Sequence, residues 1–138
     1  MQKKWAEAFR ASGLDAVVFP ALPLPATPHD VSGKLTAIHS YNFIANLLHW
    51  PSGVVSTTQV QPGEDNYEFD RLPEDQRDSF AHLASQVMEC SQGLPLAVSV
   101  LTPAFQDEMC LRVMKEIEGA ACFEAKPMDY LREYKSTM

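Results

Sequence analysis

Residues 93–118 read GLPLAVSVLTPAFQDEMCLRVMKEIE and have the pattern of a strand followed by a helix. Gly93 and Pro95 indicate the start of a strand, because glycine relaxes the backbone and proline is tolerated in a sheet only where no ladder N–H is needed. Residues 96–101 are mostly apolar, which is typical of a strand covered on both faces. The sequence therefore predicts a strand with a neighbour on each side.

A helix is predicted directly after this strand. Thr102 offers a hydroxyl N-cap, and Pro103 is the residue favoured at the first helical position. Asp107 and Glu108 come early in the helix, where the helix dipole favours carboxylates. The face predicted to pack on the sheet has helical spacing and consists of Phe105, Met109, Val113 and Ile117, widened by Leu111 and Met114.

The rest of the chain contains further helices and strands. Apolar periodicity predicts helices over residues 2–12, 35–48 and about 74–91, and β-branched or Pro-terminated runs predict strands over 14–19 and 54–60. In 35–48 the apolar stripe consists of Ile38, Tyr41, Ile44, Ala45 and Leu48, with Phe43 and Leu47 beside it. Three strands separated by helices predict an α/β fold.

We treat residues 1–138 as a single domain segment. Two stretches of it lie outside the pattern of strands and helices. Residues 61–78 carry seven acidic side chains against two arginines, which indicates a solvated acidic loop. Residues 119–138 are predicted to form a C-terminal tail. There Tyr130 and Tyr134, spaced i,i+4, indicate either a short terminal helix or a frayed end.

Composition excludes several classes of protein. The 138 residues are 46% hydrophobic and 21% charged, enough for one buried core, and a net charge of −7 argues against a nucleic-acid partner. The three cysteines, Cys90, Cys110 and Cys122, lack CxxC spacing and favour reduced, mostly buried thiols of an intracellular protein. The sequence shows no secretory signal and no apolar stretch long enough to span a bilayer.

Three blocks resemble the amidase-signature hydrolases, and within them the fatty acid amide hydrolase branch. The GLP strand–helix unit resembles the family's closing motif, with Ala97 where glycine is usual and Ser99 where glutamine is usual. Residues 41–60 have the family's helix, aromatic-Pro-small-Gly turn and strand, and 14–23 read LDAVVFPALP, with Phe19 in place of the usual threonine. The resemblance implies the C-terminal part of the amidase-signature fold. That fold is a mixed central sheet covered by helices, here about three strands alternating with four to five helices.

The resemblance also implies a function for the complete protein. Such an enzyme hydrolyses fatty acid amides with a Ser-Ser-Lys triad and without a metal or organic cofactor. Full-length relatives form homodimers and associate with internal membranes through segments outside this sequence. We therefore expect a fatty acid amide or similar lipid as the substrate, a homodimer, and endomembrane association without a transmembrane segment in this chain.

The catalytic residues themselves are not expected in this chain, so whether it is an enzyme stays open. The family places them in a Gly/Ser-rich segment, whereas none of the six glycines here lies in a Gly-Gly-Ser-Ser-Gly context. Ser32 and Lys34 flank Gly33 in a turn-like tripeptide that is not a convincing nucleophile–base pair. We assign no catalytic residue and expect the isolated chain to be inactive.

No metal site is predicted either. His29, His39, His49 and His82 lack metal-ligand spacing, and the acidic loop lacks the order of an EF-hand. Neighbouring Asp107 and Glu108 should raise the pKa of Cys110, which argues against a reactive thiol.

A binding surface remains as the functional prediction. By resemblance, Thr36, His39, Phe43 and Phe80 line the channel that holds the acyl chain, although ordinary core packing explains Phe43 and Phe80 equally well. The alternative function is a non-catalytic lipid-binding or interaction module that kept the scaffold. A free-standing small α/β protein is a third possibility, but it would leave strand edges exposed. An upstream in-frame Gly/Ser-rich segment would favour the enzyme.

Overall fold

The computed structural model of the protein, which describes residues 2–124, contains a three-stranded antiparallel sheet. The strands are β1 (Val17–Pro20), β2 (Ser52–Gln59) and β3 (Pro95–Leu101), in the order β1-β3-β2. β3 pairs antiparallel with both neighbours. The prediction of a strand at 96–101 with two neighbours is confirmed.

Residues 2–124 also contain five α-helices. They are α1 (Gln2–Ser12), α2 (His29–Ser32), α3 (Ser40–Leu48), α4 (Ser79–Met88) and α5 (Asp107–Ala121). Three 3₁₀ turns accompany them, at Thr36–His39, Phe69–Arg71 and Glu74–Gln76. The predicted α/β class and the number of elements are therefore confirmed. No helix in residues 2–124 is long and apolar enough to cross a membrane.

The helix after β3 starts later than predicted. Thr102 is fully buried, and its hydroxyl donates to the carbonyl of Gln106 at 3.1 Å instead of capping a helix at Pro103. This bond closes a loop in which Phe105 takes a positive φ of 65° and is 92% exposed. The predicted Thr102 cap and the sheet-facing position of Phe105 are therefore wrong, whereas Asp107 does lie in the first turn.

The buried face of α5 also differs from the prediction in one position. Leu111 is 64% exposed, and the buried residue in that part of the helix is Cys110. Its thiol faces the carbonyl of Val100 at 3.9 Å. Met114 covers Gly53 of β2 so closely that its sulfur would clash with any β-carbon there. Because Gly53 and Val100 are cross-strand partners, α5 covers one face of the sheet.

The other face carries α1 and α3 and one of two apolar clusters. This cluster contains Phe9, Leu48, Trp50 and Leu101. The second cluster joins α4 to the 3₁₀ turn Thr36–His39 and the chain before it, through Leu24, Leu35, Ile38, Ala84 and Val87. The helical segment 36–48 therefore packs at both of its ends, and its opposite side is left outward.

The acidic loop ends where α4 begins, which is later than the predicted start at 74. Asp78 is the N-cap of α4, since its carboxylate accepts the backbone N–H of Ala81 at 2.8 Å. Within the loop, Arg77 donates to the carbonyls of Asp70 and Leu72. Arg77 therefore ties the end of the acidic loop to its own backbone at residues 70–72.

The prediction about the cysteines is wrong, and the prediction about the C-terminal tyrosines falls outside the described residues. Cys90 and Cys122 are exposed and only Cys110 is buried, so the thiols are not mostly buried as predicted. Both exposed cysteines lie just beyond helix ends and have a positive φ. α5 extends to Ala121, and the predicted behaviour of Tyr130 and Tyr134 lies outside the described residues.

Candidate apolar binding site

The helical segment 36–48 is the scaffold of the candidate site. The 3₁₀ turn Thr36–His39 runs directly into α3, which ends at His49 in the left-handed conformation with φ of 54°. Trp50 and Pro51 follow, and the residue before a proline is disfavoured in a helix. The backbone N–H of His49 donates to the carbonyl of Asn46, so this residue closes the helix with its backbone.

Three of the four predicted acyl-channel residues share the outward side of this segment. Thr36, His39 and Phe43 are exposed at helical spacing, opposite the buried Ile38 and Leu48. The hydroxyl of Thr36 donates locally to the carbonyl of Gly33 at 3.1 Å. These three residues therefore form one continuous strip.

Phe80 lies elsewhere. It is a half-buried residue of α4 that packs against the cluster of Leu35 and Ile38, on the inward side of the same helical segment. The structure thus separates Phe80 from the strip formed by the other three residues. Its role as a channel residue stays a prediction.

An outer groove lies between α1 and α3. It has a volume of about 630 Å³ and is lined by Trp5, Ser40, Phe43, Ile44, Asn46 and Leu47. Trp5, Phe43 and Leu47 are 45%, 53% and 55% exposed, so three large apolar side chains stand together at the surface. Large apolar side chains exposed together in this way are typical of a ligand-binding or protein-interaction surface.

An inner pocket of about 250 Å³ adjoins the outer groove. It is lined by Trp5 and Phe9 of α1, Val17 and Phe19 of β1, Ser40, Tyr41 and Ile44 of α3, and by Trp50 and Leu101. Its base is formed by Phe9 and Trp50, whose rings meet edge to face at 5.3 Å. Phe19 and Tyr41 stack at 6.4 Å on its side.

Sequence reasoning missed the inner pocket. Trp5 and Phe9 share one face of α1, a spacing that indicated packing but not a cavity. The remaining walls come from β1, α3 and the end of β3, which lie far apart in the sequence. Only the tertiary arrangement brings them together.

In residues 2–124, no serine hydroxyl is hydrogen-bonded to a lysine, and no three His, Cys, Asp or Glu side chains gather as metal ligands. Burial, and to a lesser extent the charge of Asp107, raises the pKa of the Cys110 thiol. Cys110 is therefore a packing residue of α5 rather than a nucleophile.

The fold and the apolar cavities beside the sheet do not identify a family by themselves, whereas comparison with known proteins does. The amidase family matches residues 1–111. The chain therefore belongs to the amidase family.

Two curated relatives indicate which amidases the chain is similar to. The chain is 36% identical over 110 residues to fatty-acid amide hydrolase 1 of Sus scrofa, covering 80% of this chain and 19% of that protein. It is 33% identical over 107 residues to fatty acid amide hydrolase 1 of Caenorhabditis elegans, covering 78% of this chain and 18% of that protein. The chain thus spans about a fifth of the length of these relatives.

Proposed function

We propose that this chain is part of an amidase-family hydrolase that cleaves fatty acid amides, and that it supplies part of the surface holding the acyl chain. The observation that carries this proposal is the outer groove, where Trp5, Phe43 and Leu47 are half exposed side by side. The names of the two relatives support an amide with a long hydrocarbon chain as the substrate.

The physical basis is the removal of hydrocarbon from water. Each buried methylene of an acyl chain contributes about 0.8 kcal/mol to binding. Phe43 and Leu47 lie one turn apart on α3, so they offer a continuous apolar wall along the helix. Thr36 and His39 extend the strip toward the N-terminal end of the segment and give that end a polar character.

The proposed division of labour places the chemistry outside this chain. Amide hydrolysis through an acyl-enzyme needs a nucleophile, a base and oxyanion-hole donors in one place. The sequence contains no Gly/Ser-rich segment that would hold them. A Ser-Ser-Lys triad in the longer protein would perform the reaction without a cofactor, and residues 1–138 alone would bind but not hydrolyse.

The test compares residues 1–138 with the longest product that transcripts containing this sequence encode. Release of oleic acid from oleamide, and labelling by a serine-directed fluorophosphonate, are expected only for the longer product. Within it, Phe43→Asp should raise KM for oleamide at least about tenfold and leave a short-chain amide nearly unaffected, because the lost contact is with distant methylenes. The matched control is Phe105→Asp, at an exposed phenylalanine away from the groove.

Three results would contradict this proposal. A longer product that hydrolyses no amide would overturn the proposal, as would a Phe43→Asp variant that affects long and short amides equally. Hydrolysis of an amide by purified 1–138 would contradict the proposal that the catalytic residues lie outside this chain.

The alternative is a non-catalytic lipid-binding or interaction module, and the same exposed groove favours it. This alternative would be preferred if no transcript encodes a longer product and if residues 1–138 bind oleamide without hydrolysing it. We also propose, from resemblance, a homodimer and endomembrane association for the complete protein. Analytical ultracentrifugation and membrane flotation of that protein would test these two properties.

A further inference from the structure

The open side of β2 and the neighbouring side of α5 form one surface, away from α1 and α3. Within residues 2–124, β2 has only β3 beside it, and Ser52–Gln59 contains no charged side chain and no proline. Val54 of this strand is 56% exposed and Leu111 of α5 is 64% exposed. An unprotected strand edge next to exposed apolar side chains is typical of a surface that pairs with another chain.

Three residues of α5 belong to this surface. Leu111, Lys115 and Glu118 follow one another at helical spacing, and they line a groove of about 580 Å³ together with residues 54–56 of β2. Lys115 and Glu118 are exposed and carry opposite charges, and neither forms an ion pair within the described part of the chain, residues 2–124. We call Ser52–Gln59 and these three residues the β2–α5 flank.

The position of α5 over the sheet leaves room for a second copy of the same helix. Met114 covers Gly53 of β2, and the thiol of Cys110 faces the carbonyl of Val100 of β3, so α5 lies above the line between these strands. Neighbouring strands are about 4.8 Å apart. If a second β2 paired with the open edge about a two-fold axis, the two α5 helices would be two strand spacings apart, about 10 Å. Helices pack side by side at about 8–10 Å.

The direction of α5 makes the charges of the flank self-complementary. The beginning of α5 lies beside residues 51–53 and its later part beside residues 54–56, so α5 runs in the same direction as β2. An antiparallel pair of β2 strands therefore brings the two α5 helices together antiparallel. Lys115 of each copy then lies opposite Glu118 of the other, and the same alignment places Leu111 opposite Cys122.

We propose that the β2–α5 flank is a two-fold interface with a second copy of this chain. The two β2 edges pair antiparallel into a six-stranded sheet, and the two α5 helices pack side by side on one face of it. A second copy fits this surface because β2 brings no like charges together and each α5 supplies the charge opposite to that of the other. The inference gives a location to the homodimer proposed above and is independent of the acyl ligand.

A disulfide between the two helices tests this contact directly. Leu111→Cys is made together with Cys90→Ser, so that residue 111 and Cys122 are the exposed thiols. Within one helix these two positions are about 16 Å apart along the axis, whereas a disulfide needs Cα atoms within about 7 Å. A disulfide between them therefore joins two copies. Oxidation, non-reducing electrophoresis and peptide mass spectrometry should identify it, and Arg112→Cys, at the next exposed residue on another side of α5, should not form it.

Reversal of the charges tests the two-fold alignment. Lys115→Glu and Glu118→Lys each place like charges opposite one another at two symmetric points, so each should weaken dimerisation about tenfold in sedimentation velocity. The double variant restores opposite charges across the axis and should recover most of the affinity. Circular dichroism confirms that all three variants are folded. A double variant as weak as the single variants would contradict the alignment.

Both measurements use the 138-residue chain and the longer product described above. A dimer that none of these substitutions affects would overturn the interface and leave a homodimer formed through another surface. Monomers at both lengths would overturn the interface and the homodimer together. A disulfide in the 138-residue chain but not in the longer product would show that another part of the longer protein covers β2, and would overturn the interface for the complete protein.

Discussion

Ser99 at the centre of β3 donates its hydroxyl to the side-chain oxygen of Asn42 on α3, at 3.3 Å. Asn42 in turn donates to the carbonyl of Ala21 at 2.8 Å, so one amide joins the sheet, α3 and the segment directly after β1. Ser99 is fully buried, and its hydroxyl would lack a partner without this contact. The pair therefore fixes α3, and with it both cavities, relative to the sheet.

Asn42→Ala should lower the free energy of unfolding by about 1–3 kcal/mol, because it leaves the Ala21 carbonyl and the Ser99 hydroxyl without their partner. Urea unfolding followed by circular dichroism measures this change. Asn46→Ala is the matched control, since Asn46 is an exposed residue one turn further along α3. Equal stabilities of the two variants would show that the network does not hold α3.

Phe43 and Phe80 should respond differently to truncation. Phe80→Ala removes a half-buried ring from the cluster of Leu35 and Ile38 and is expected to cost about 2 kcal/mol, less than a fully buried phenylalanine. Phe43→Ala, at a 53% exposed position, should change stability by at most about 0.5 kcal/mol.

The binding measurement complements this stability measurement. If Phe43→Ala weakens oleamide binding while Phe80→Ala affects only stability, Phe80 is a core residue. If both weaken binding at temperatures where both variants are folded, both belong to the acyl channel.

The sequence predicted those features that local patterns determine. The apolar run 96–101 and the alternation of strands and helices led directly to β3 and to the α/β class. Thr102-Pro103 has the chemistry of a helix start, but burial of Thr102 directs its hydroxyl to Gln106, and a local rule cannot include that contact. The inner pocket was beyond prediction because Trp5, Val17 and Trp50 meet only through tertiary packing.

Cys110 should be protected from modification in the folded chain. Cys90 and Cys122 are exposed and should react with a thiol reagent at once, whereas Cys110 should react only after unfolding. Labelling in buffer and in urea, followed by peptide mass spectrometry, distinguishes the three sites. Rapid native labelling of Cys110 would contradict its burial under α5.

The raised pKa of Cys110 also predicts a pH dependence of stability. Above the ordinary cysteine pKa of 9.0, the unfolded chain releases the thiol proton while the folded chain retains it. Stability contributed by the buried thiol is therefore complete below pH 9.0 and decreases as the pH rises beyond it. Unfolding in urea as a function of pH should show a steeper alkaline loss for the wild type than for Cys110→Ala. Parallel profiles would contradict this origin of the slope.

The outer edge of β2 should make the isolated chain associate with itself. Among the strands of residues 2–124, β2 pairs only with β3, and its segment Ser52–Gln59 contains neither charge nor proline to protect the open edge. Val54 is 56% exposed on this strand, so Val54→Lys should shift the chain from oligomers to monomer in size-exclusion chromatography. Ala120→Lys adds the same charge at an exposed position of α5 and should leave the oligomers in place. A wild-type chain that is already monomeric and melts cooperatively would contradict this prediction and favour the self-standing lipid-binding module over a piece of a larger sheet.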